Sequence, residues 1–197
     1  LAFVITLIFQ RQGRPELLEL HVPFSGGLSV DLSGWGGLPH MLFVLIVVTG
    51  TSNAVNLTDG MDGLASGAMV VAALAMAAIS VAVGRAPLLE IDLLYVPYSQ
   101  EMTVFCTAMA GASLGFLWFN APPARVYMGD TGSLPLGSLL GYVAVVTKHE
   151  LVLAIVGGVF VAEACSVMIQ VLAFKFGKGR WGRHVVADGS RRIFRCA

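Results

Sequence analysis

From Leu64 to Val83 the chain carries no charged side chain. That is about the ~20 apolar residues an α-helix needs to cross a bilayer. In hydrocarbon, backbone N–H and C=O groups find no water, so a spanning segment must be helical or belong to a closed barrel. The runs Met102 to Phe119 and Leu134 to Val146 repeat the pattern, Leu151 to Phe174 does so with Glu163 as its one charged residue, and Leu38 to Thr51 does so between Pro39–His40 and a polar stretch. Leu134 to Val146 is short for a span and should borrow a turn at each end. Composition agrees: 56% of residues are hydrophobic, 12% are charged and mean hydropathy is +0.80, where soluble domains carry about 25% charged residues. The expected fold is all-α. It is a polytopic transmembrane helix bundle of about five spans plus an N-terminal partial helix, one membrane domain over residues 1–197. Glu19 to Leu32, with Gly26-Gly27 as a turn signal, predicts a small extracytoplasmic hairpin.

Leu1 to Phe9 is too short to span and lacks the basic start and cleavage site of a signal peptide. It reads as the tail of a helix whose beginning is absent, and Arg195-Cys196-Ala197 is an equally abrupt end. The expectation is a fragment lacking both ends. Cys106, Cys165 and Cys196 are odd in number and widely spaced, which argues against a disulfide framework or a zinc site. They read as small buried hydrophobes.

Counting crossings assigns every loop to a side. One side receives Arg125, Lys175, Lys178, Arg180, Arg183, Arg191, Arg192 and Arg195. The other receives Arg11, Arg14, Arg85 and Lys148. The positive-inside rule makes the first side cytoplasmic. Residues 175–197 are then a basic cytoplasmic loop that attracts anionic membrane lipid. Two acidic motifs fall on this same side.

The first motif is Asn53-Ala-Val-Asn56-Leu-Thr-Asp59-Gly-Met-Asp62-Gly-Leu-Ala65. Asn53, Asn56 and Asp59 recur every three residues, along one slowly drifting side of a helix. Gly60 and Gly63 predict that the helix breaks there and turns Asp62 back toward the others. The second motif is Tyr127-Met-Gly-Asp130-Thr-Gly-Ser133. Ser133 reads as the N-cap of the next helix, with Pro135 in its first turn. A carboxylate at a helix start, flanked by glycines, suits a Mg²⁺ ion that shares substrate phosphates. The bland reading of both motifs is capping and polar packing. Asn120 lies near the same level, Tyr127 offers a ring for a base or for the interface, and Glu163 and Gln170 share a face of the last helix. Gly111-x-x-x-Gly115 and Gly137-x-x-x-Gly141 read as sites of close helix packing.

These residues resemble a known family. Asn53 to Ala65, Gly115-Phe-Leu-Trp-Phe-Asn120, Tyr127 to Ser133, Gly157-Gly-Val-Phe-Val-Ala-Glu163, Ser166-Val-Met-Ile-Gln170 and Arg192-Ile-Phe-Arg195 resemble, in order, the phospho-N-acetylmuramoyl-pentapeptide transferases. These sit within the wider superfamily of polyprenyl-phosphate N-acetylhexosamine-1-phosphate transferases. The resemblance implies a ten-helix bacterial inner-membrane enzyme with its active site facing the cytoplasm. It implies Mg²⁺-dependent transfer of phospho-MurNAc-pentapeptide from UDP to undecaprenyl phosphate, forming lipid I and UMP. By position, Asp130 looks like the metal ligand, and Asp130, Asp59 and Asp62 like the catalytic carboxylates. Asn53, Asn56, Asp59, Asp62, Asn120, Tyr127 and Gln170 look like the substrate-binding set. The partners implied are UDP-MurNAc-pentapeptide, undecaprenyl phosphate and membrane lipid, with a homodimer open and no nucleic acid. The family's Asp-Asp pair does not occur here, its His-rich motif would follow Ala197, Tyr127 stands where Phe is usual, and Gly177 to Ser190 is longer than the usual connection. The chain alone is therefore expected to be inactive. A related UDP-GlcNAc transferase is the nearest alternative. A membrane transporter with an acidic ion path is the alternative of another class, although acids on such a path belong near mid-membrane.

Overall fold

The structure is a computed structural model that describes residues 2–11, 18–22, 29–86 and 95–176. The described helices are α1 (Ala2–Arg11), α2 (Gly34–Thr58), α3 (Leu64–Gly84), α4 (Met102–Asn120), α5 (Asp130–Val146), α6 (Glu150–Val156) and α7 (Gly158–Phe176). Strands β1 (Glu19–His21) and β2 (Ser29–Asp31) pair antiparallel with Leu20 opposite Val30, the hairpin expected from the sequence. Its Gly26-Gly27 tip lies outside the described residues, as does the basic tail from Gly177 onward.

The fold is an all-α polytopic membrane bundle. Three segments, Gly34–Thr58, Leu64–Gly84 and Ser99–Asn120, are long and apolar enough to cross a membrane, and α6 with α7 makes a fourth if the pair is one span. Leu134 to Val146 gains a turn at its start but not the one expected at its end, and α5, ending at Val146, reaches 17 residues. Val71, Val104, Trp118 and Ile169 are among many large apolar side chains left uncovered on the outer faces. Helices joined in lipid depend on close packing and small residues rather than on apolar burial from water.

α2 is longer than the apolar run that announces it. Trp35, Gly36 and Gly37 adopt left-handed φ values of 49°, 67° and 79°. Regular helix begins after them, so Pro39 falls in a first turn where its missing N–H costs little. At the other end the helix runs through Asn53 and Asn56 to Thr58.

α2 and α5 lie antiparallel and close. A Cβ on Gly137 would stand 2.6 Å from the Thr51 carbonyl oxygen, and one on Gly141 would collide with Thr51 Oγ1. Gly137-x-x-x-Gly141 is thus the contact stripe expected of it. Gly111 and Gly115 meet nothing within 4 Å, so the second small-residue stripe is not used within this chain. α3 and α4 are likewise antiparallel. Thr103 Oγ1 donates to the Ala77 carbonyl at 3.4 Å near one end, and Ser66 meets Asn120 at the other. Val55, Met69, Met76, Cys106, Met109, Leu140 and Val143 fill the space between the four helices. Cys165, in contrast, is exposed, on the outer side of α7.

One further expectation fails. Leu151 to Phe174 is not one helix: α6 and α7 meet at Gly157 with a bend of 79°. Gly157 N still donates to Leu153 O at 2.7 Å, closing α6, and a Gly157-Gly158 pair gives the backbone freedom to turn there. The turn that carries Lys148 between α5 and α6 is buried: Lys148 and Glu150 are 2% and 5% exposed and form an ion pair at 3.2 Å. Phe9 lies 5.8 Å below the Lys148 ammonium. His40, at the start of α2, bonds Thr6 at 3.1 Å. These groups mark the end of the bundle opposite the aspartates.

Candidate active site

Asp59 ends α2. Its backbone N–H bonds back to the carbonyls of Val55 and Asn56, so its side chain starts where the helix stops. Gly63 then takes φ 74° before α3 begins, a left-handed value that glycine adopts without cost. Helix, turn and helix place Asp59 and Asp62 at one end of the bundle, as the two glycines suggested.

The segment 121–129 crosses the same end between α4 and α5, and both carboxylates hold it. Asp62 Oδ2 accepts from Ala124 N at 3.0 Å, and Asp59 Oδ2 accepts from Gly129 N at 3.1 Å. Hydrogen bonds to an ionised acceptor are stronger than neutral ones. Asp130, next in sequence, is exposed as the first residue of α5. It lies close enough for its charge to act on Asp59. Burial pushes the Asp59 carboxyl above the ordinary range, the Gly129 N–H pulls it down, and Asp130 adds a further push upward.

Ser133 is not the cap of α5. Gly129, with φ 62°, precedes the helix and Asp130 opens it, so Pro135 falls in the second turn. Ser133 Oγ instead donates to Asn56 Oδ1 at 2.5 Å, with the Gly129 carbonyl 3.1 Å away. Ser52 Oγ donates to the Leu134 carbonyl at 2.9 Å. Sequence reading missed both serines as site-building residues, since their partners lie some eighty positions away.

The other candidates separate by environment. Asn53 is exposed and donates to the Thr49 carbonyl of its own helix at 2.8 Å. Tyr127 is 69% exposed. Asn120 is 3% exposed and faces inward, bonded to Gly63, Ser66 and Val126. Gln170 bonds Ser166 within α7 at 3.2 Å, and among the described residues no hydrogen bond links it to the others. The structure thus brings Asp59, Asp62, Asp130, Asn56 and Asn120 into one network through segment 121–129, Gly63 and Ser133.

The described residues contain no group of three or more His, Cys, Asp or Glu that could hold a metal by themselves. What they offer is an exposed carboxylate with a second carboxylate beside it at a helix start. That donor set fits Mg²⁺, which takes one or two carboxylates and fills the rest of its octahedron with water and phosphate oxygens.

Residues 1–148 match glycosyl transferase family 4. Among curated proteins the chain is 48% identical, over 181 residues, to a phospho-N-acetylmuramoyl-pentapeptide-transferase of Rickettsia africae (strain ESF-5). It is 52% identical over the same length to the one from Rickettsia rickettsii (strain Sheila Smith). Each match covers 91% of this chain and 49% of the relative, so the chain spans about half the length of the curated relatives it matches. With residues 1–148 of its 197 inside the matching region, the chain belongs to glycosyl transferase family 4.

Proposed function

We infer that this chain contributes the metal and nucleotide side of a phosphotransferase that moves phospho-MurNAc-pentapeptide from UDP to undecaprenyl phosphate, yielding lipid I and UMP. The observation that carries this reading is the convergence of Asp59, Asp62 and Asp130 at one end of an apolar bundle. A transporter with an acidic path gains no support from it, because these acids stand at helix ends rather than mid-span.

In this reading Asp130 holds Mg²⁺, with Asp59 near enough to share it. The ion supplies charge neutralisation for the diphosphate and for the phosphate that leaves with UMP. Asp59 and Asp62 fix segment 121–129 through one oxygen each and keep the other for substrate. Asn53 and Asn56 line the approach with amides that suit phosphate and sugar oxygens. Tyr127 presents an open ring for base stacking, buried Asn120 shapes the nucleoside pocket from behind through Gly63 and Val126, and Gln170 serves it from α7. The basic side chains counted on this side, Arg125 and the tail after Phe174, make it the cytoplasmic face of a bacterial inner membrane under the positive-inside rule. They also raise the local concentration of an anionic donor.

The test uses the native full-length protein in membranes. Asp130→Asn should lower UMP release from UDP-MurNAc-pentapeptide by about 10³-fold, the scale for losing a charge-stabilising group. Near-normal release by that variant overturns the metal assignment. A native protein that releases UMP faster from UDP-GlcNAc overturns the donor.

A further inference from the structure

We propose that Trp118 seats the aspartate end of the bundle in the headgroup layer, and so acts as a positioning residue for a lipid-borne phosphate. The seat itself rests on geometry alone; its use for the acceptor rests on the function read above. Trp118 lies in the last turn of α4 and is 83% exposed. Among the described residues no hydrogen bond holds its indole N–H. An exposed leucine is at home against acyl chains, but an indole also carries a donor that hydrocarbon cannot satisfy. The boundary between acyl chains and headgroups suits both parts of the ring.

The other end of the same span answers it. Tyr98, just before Ser99–Asn120, is 79% exposed. It keeps that place with a left-handed φ of 62°, a value uncommon for a bulky side chain. Twenty residues separate Tyr98 from Trp118, and Glu101, beside Tyr98, is the one charged residue between them. Their helical rise, about 30 Å, equals the thickness of a hydrocarbon core, about 30 Å. One bilayer therefore puts both aromatics at its boundaries at once. Trp35, at the Tyr98 end of the bundle, is exposed as well.

What Trp118 seats is the frame of the site. One residue on, the Phe119 carbonyl accepts from Arg125 N at 2.9 Å. Two residues on, about 3 Å along the axis, Asn120 accepts from Gly63 N at 3.0 Å and donates to the Val126 carbonyl at 2.9 Å. Gly63 follows Asp62, and Asp62 holds Ala124. The end of α4, the Asp62 turn and segment 121–129 are thus tied into one piece. With Trp118 at the boundary, the carboxylates stand just beyond it, level with lipid phosphates. An acceptor phosphate then meets the site without entering hydrocarbon, where its charge would be costly, and arrives already aligned.

The experiment places the native full-length protein in phosphatidylcholine vesicles whose acyl chains carry bromine either near the glycerol end or near the bilayer centre. The Trp118 signal is the difference in fluorescence between the native protein and Trp118→Phe, and the shallow bromines should quench it more than the deep ones. Stronger quenching from the centre overturns the seat. So does no quenching at all, which shows Trp118 covered by another part of the full-length protein or by a second copy. In the same vesicles without bromine, Trp118→Leu should raise KM for the polyprenyl-phosphate acceptor about threefold, the scale of a small error in depth, and leave KM for the donor unmoved. Trp118→Tyr, again an interfacial aromatic, should restore the native value. With a short-chain prenyl phosphate in detergent micelles, Trp118→Leu should match the native protein. An equal loss in micelles, or a loss that falls on the donor, overturns the depth role and makes Trp118 a packing residue. Shallow quenching beside a native protein that turns over neither substrate supports the seat and overturns the function read above.

Discussion

Ser133 Oγ donates to Asn56 Oδ1 at 2.5 Å, tying the end of α2 to the start of α5 across 77 positions of sequence. Asn56 stands one turn before Asp59, and Ser133 one turn after Asp130. The bond therefore sets the spacing of the two carboxylates from behind.

Replacing Ser133 by Ala strands the Asn56 amide oxygen in a half-buried place. The expected cost is about 1–2 kcal/mol of stability, the usual penalty for an orphaned polar group. Thermal unfolding in detergent checks it, and turnover should fall more than stability because the Asp59–Asp130 spacing loosens.

Asp59 gives the site a pH dependence. Its carboxyl titrates above the usual value because burial, foremost, and the Asp130 charge outweigh the downward pull of the Gly129 N–H. The folded state then holds this proton more tightly than the unfolded chain. Its contribution to stability is present below about pH 4 and is lost as pH rises through the folded value. Asp130→Asn removes one of the two upward pushes, so the variant should lose less stability than the native protein between about pH 4 and 7 in Mg²⁺-free buffer. Parallel denaturation series at each pH give the difference. Added Mg²⁺ should stabilise the native protein and have little effect on the variant.

Asp62→Ala removes the acceptor for Ala124 N and should free segment 121–129. Backbone exchange there should quicken, and affinity for the UDP-linked donor should fall. Asp62→Asn keeps an acceptor oxygen, so it should protect the segment better than Ala does. An unchanged dissociation constant in Asp62→Ala would show that the carboxylate serves neither segment nor donor.

At the far end, Lys148 and Glu150 form a buried pair. Lys148→Met alone leaves an uncompensated carboxylate and should cost about 3–5 kcal/mol. The double change of Lys148→Met with Glu150→Met should be milder than either single one, because two buried charges then leave together. Unfolding of the three variants decides it.

Packing between α2 and α5 gives a last check. Gly141→Ala puts a methyl group against Thr51 Oγ1, and overpacking of this kind costs about 1–3 kcal/mol. Gly111→Ala, which meets nothing within this chain, should leave the bundle's own stability nearly unchanged.

The bundle was legible because uncharged runs of spanning length admit few other structures. The turn at Gly60–Gly63 was legible because two glycines interrupt an otherwise helical motif beside two acids. The bend at Gly157 was not: a glycine pair inside an apolar run changes neither hydropathy nor period. The helical course of Asn53 and Asn56 was legible in their three-residue spacing, whereas the left-handed start of α2 at Trp35 to Gly37 was not, because nothing in hydropathy marks it. Burial of Lys148 was hidden because composition cannot tell a solvated turn from one folded under a helix end. The partners of Asn120 and Ser133 were hidden for another reason. A serine fifty or eighty positions away announces nothing until antiparallel helices align the two.

Each clamping carboxylate meets the peptide chain with its Oδ2. A donor that drew on those same atoms would let go of residues 121–129 as it arrived, and one that used only Oδ1 would leave them fastened. Grip on the donor and slack in that crossing strand are thus thermodynamically linked, so anything that stiffens the strand also tunes how firmly the nucleotide is kept.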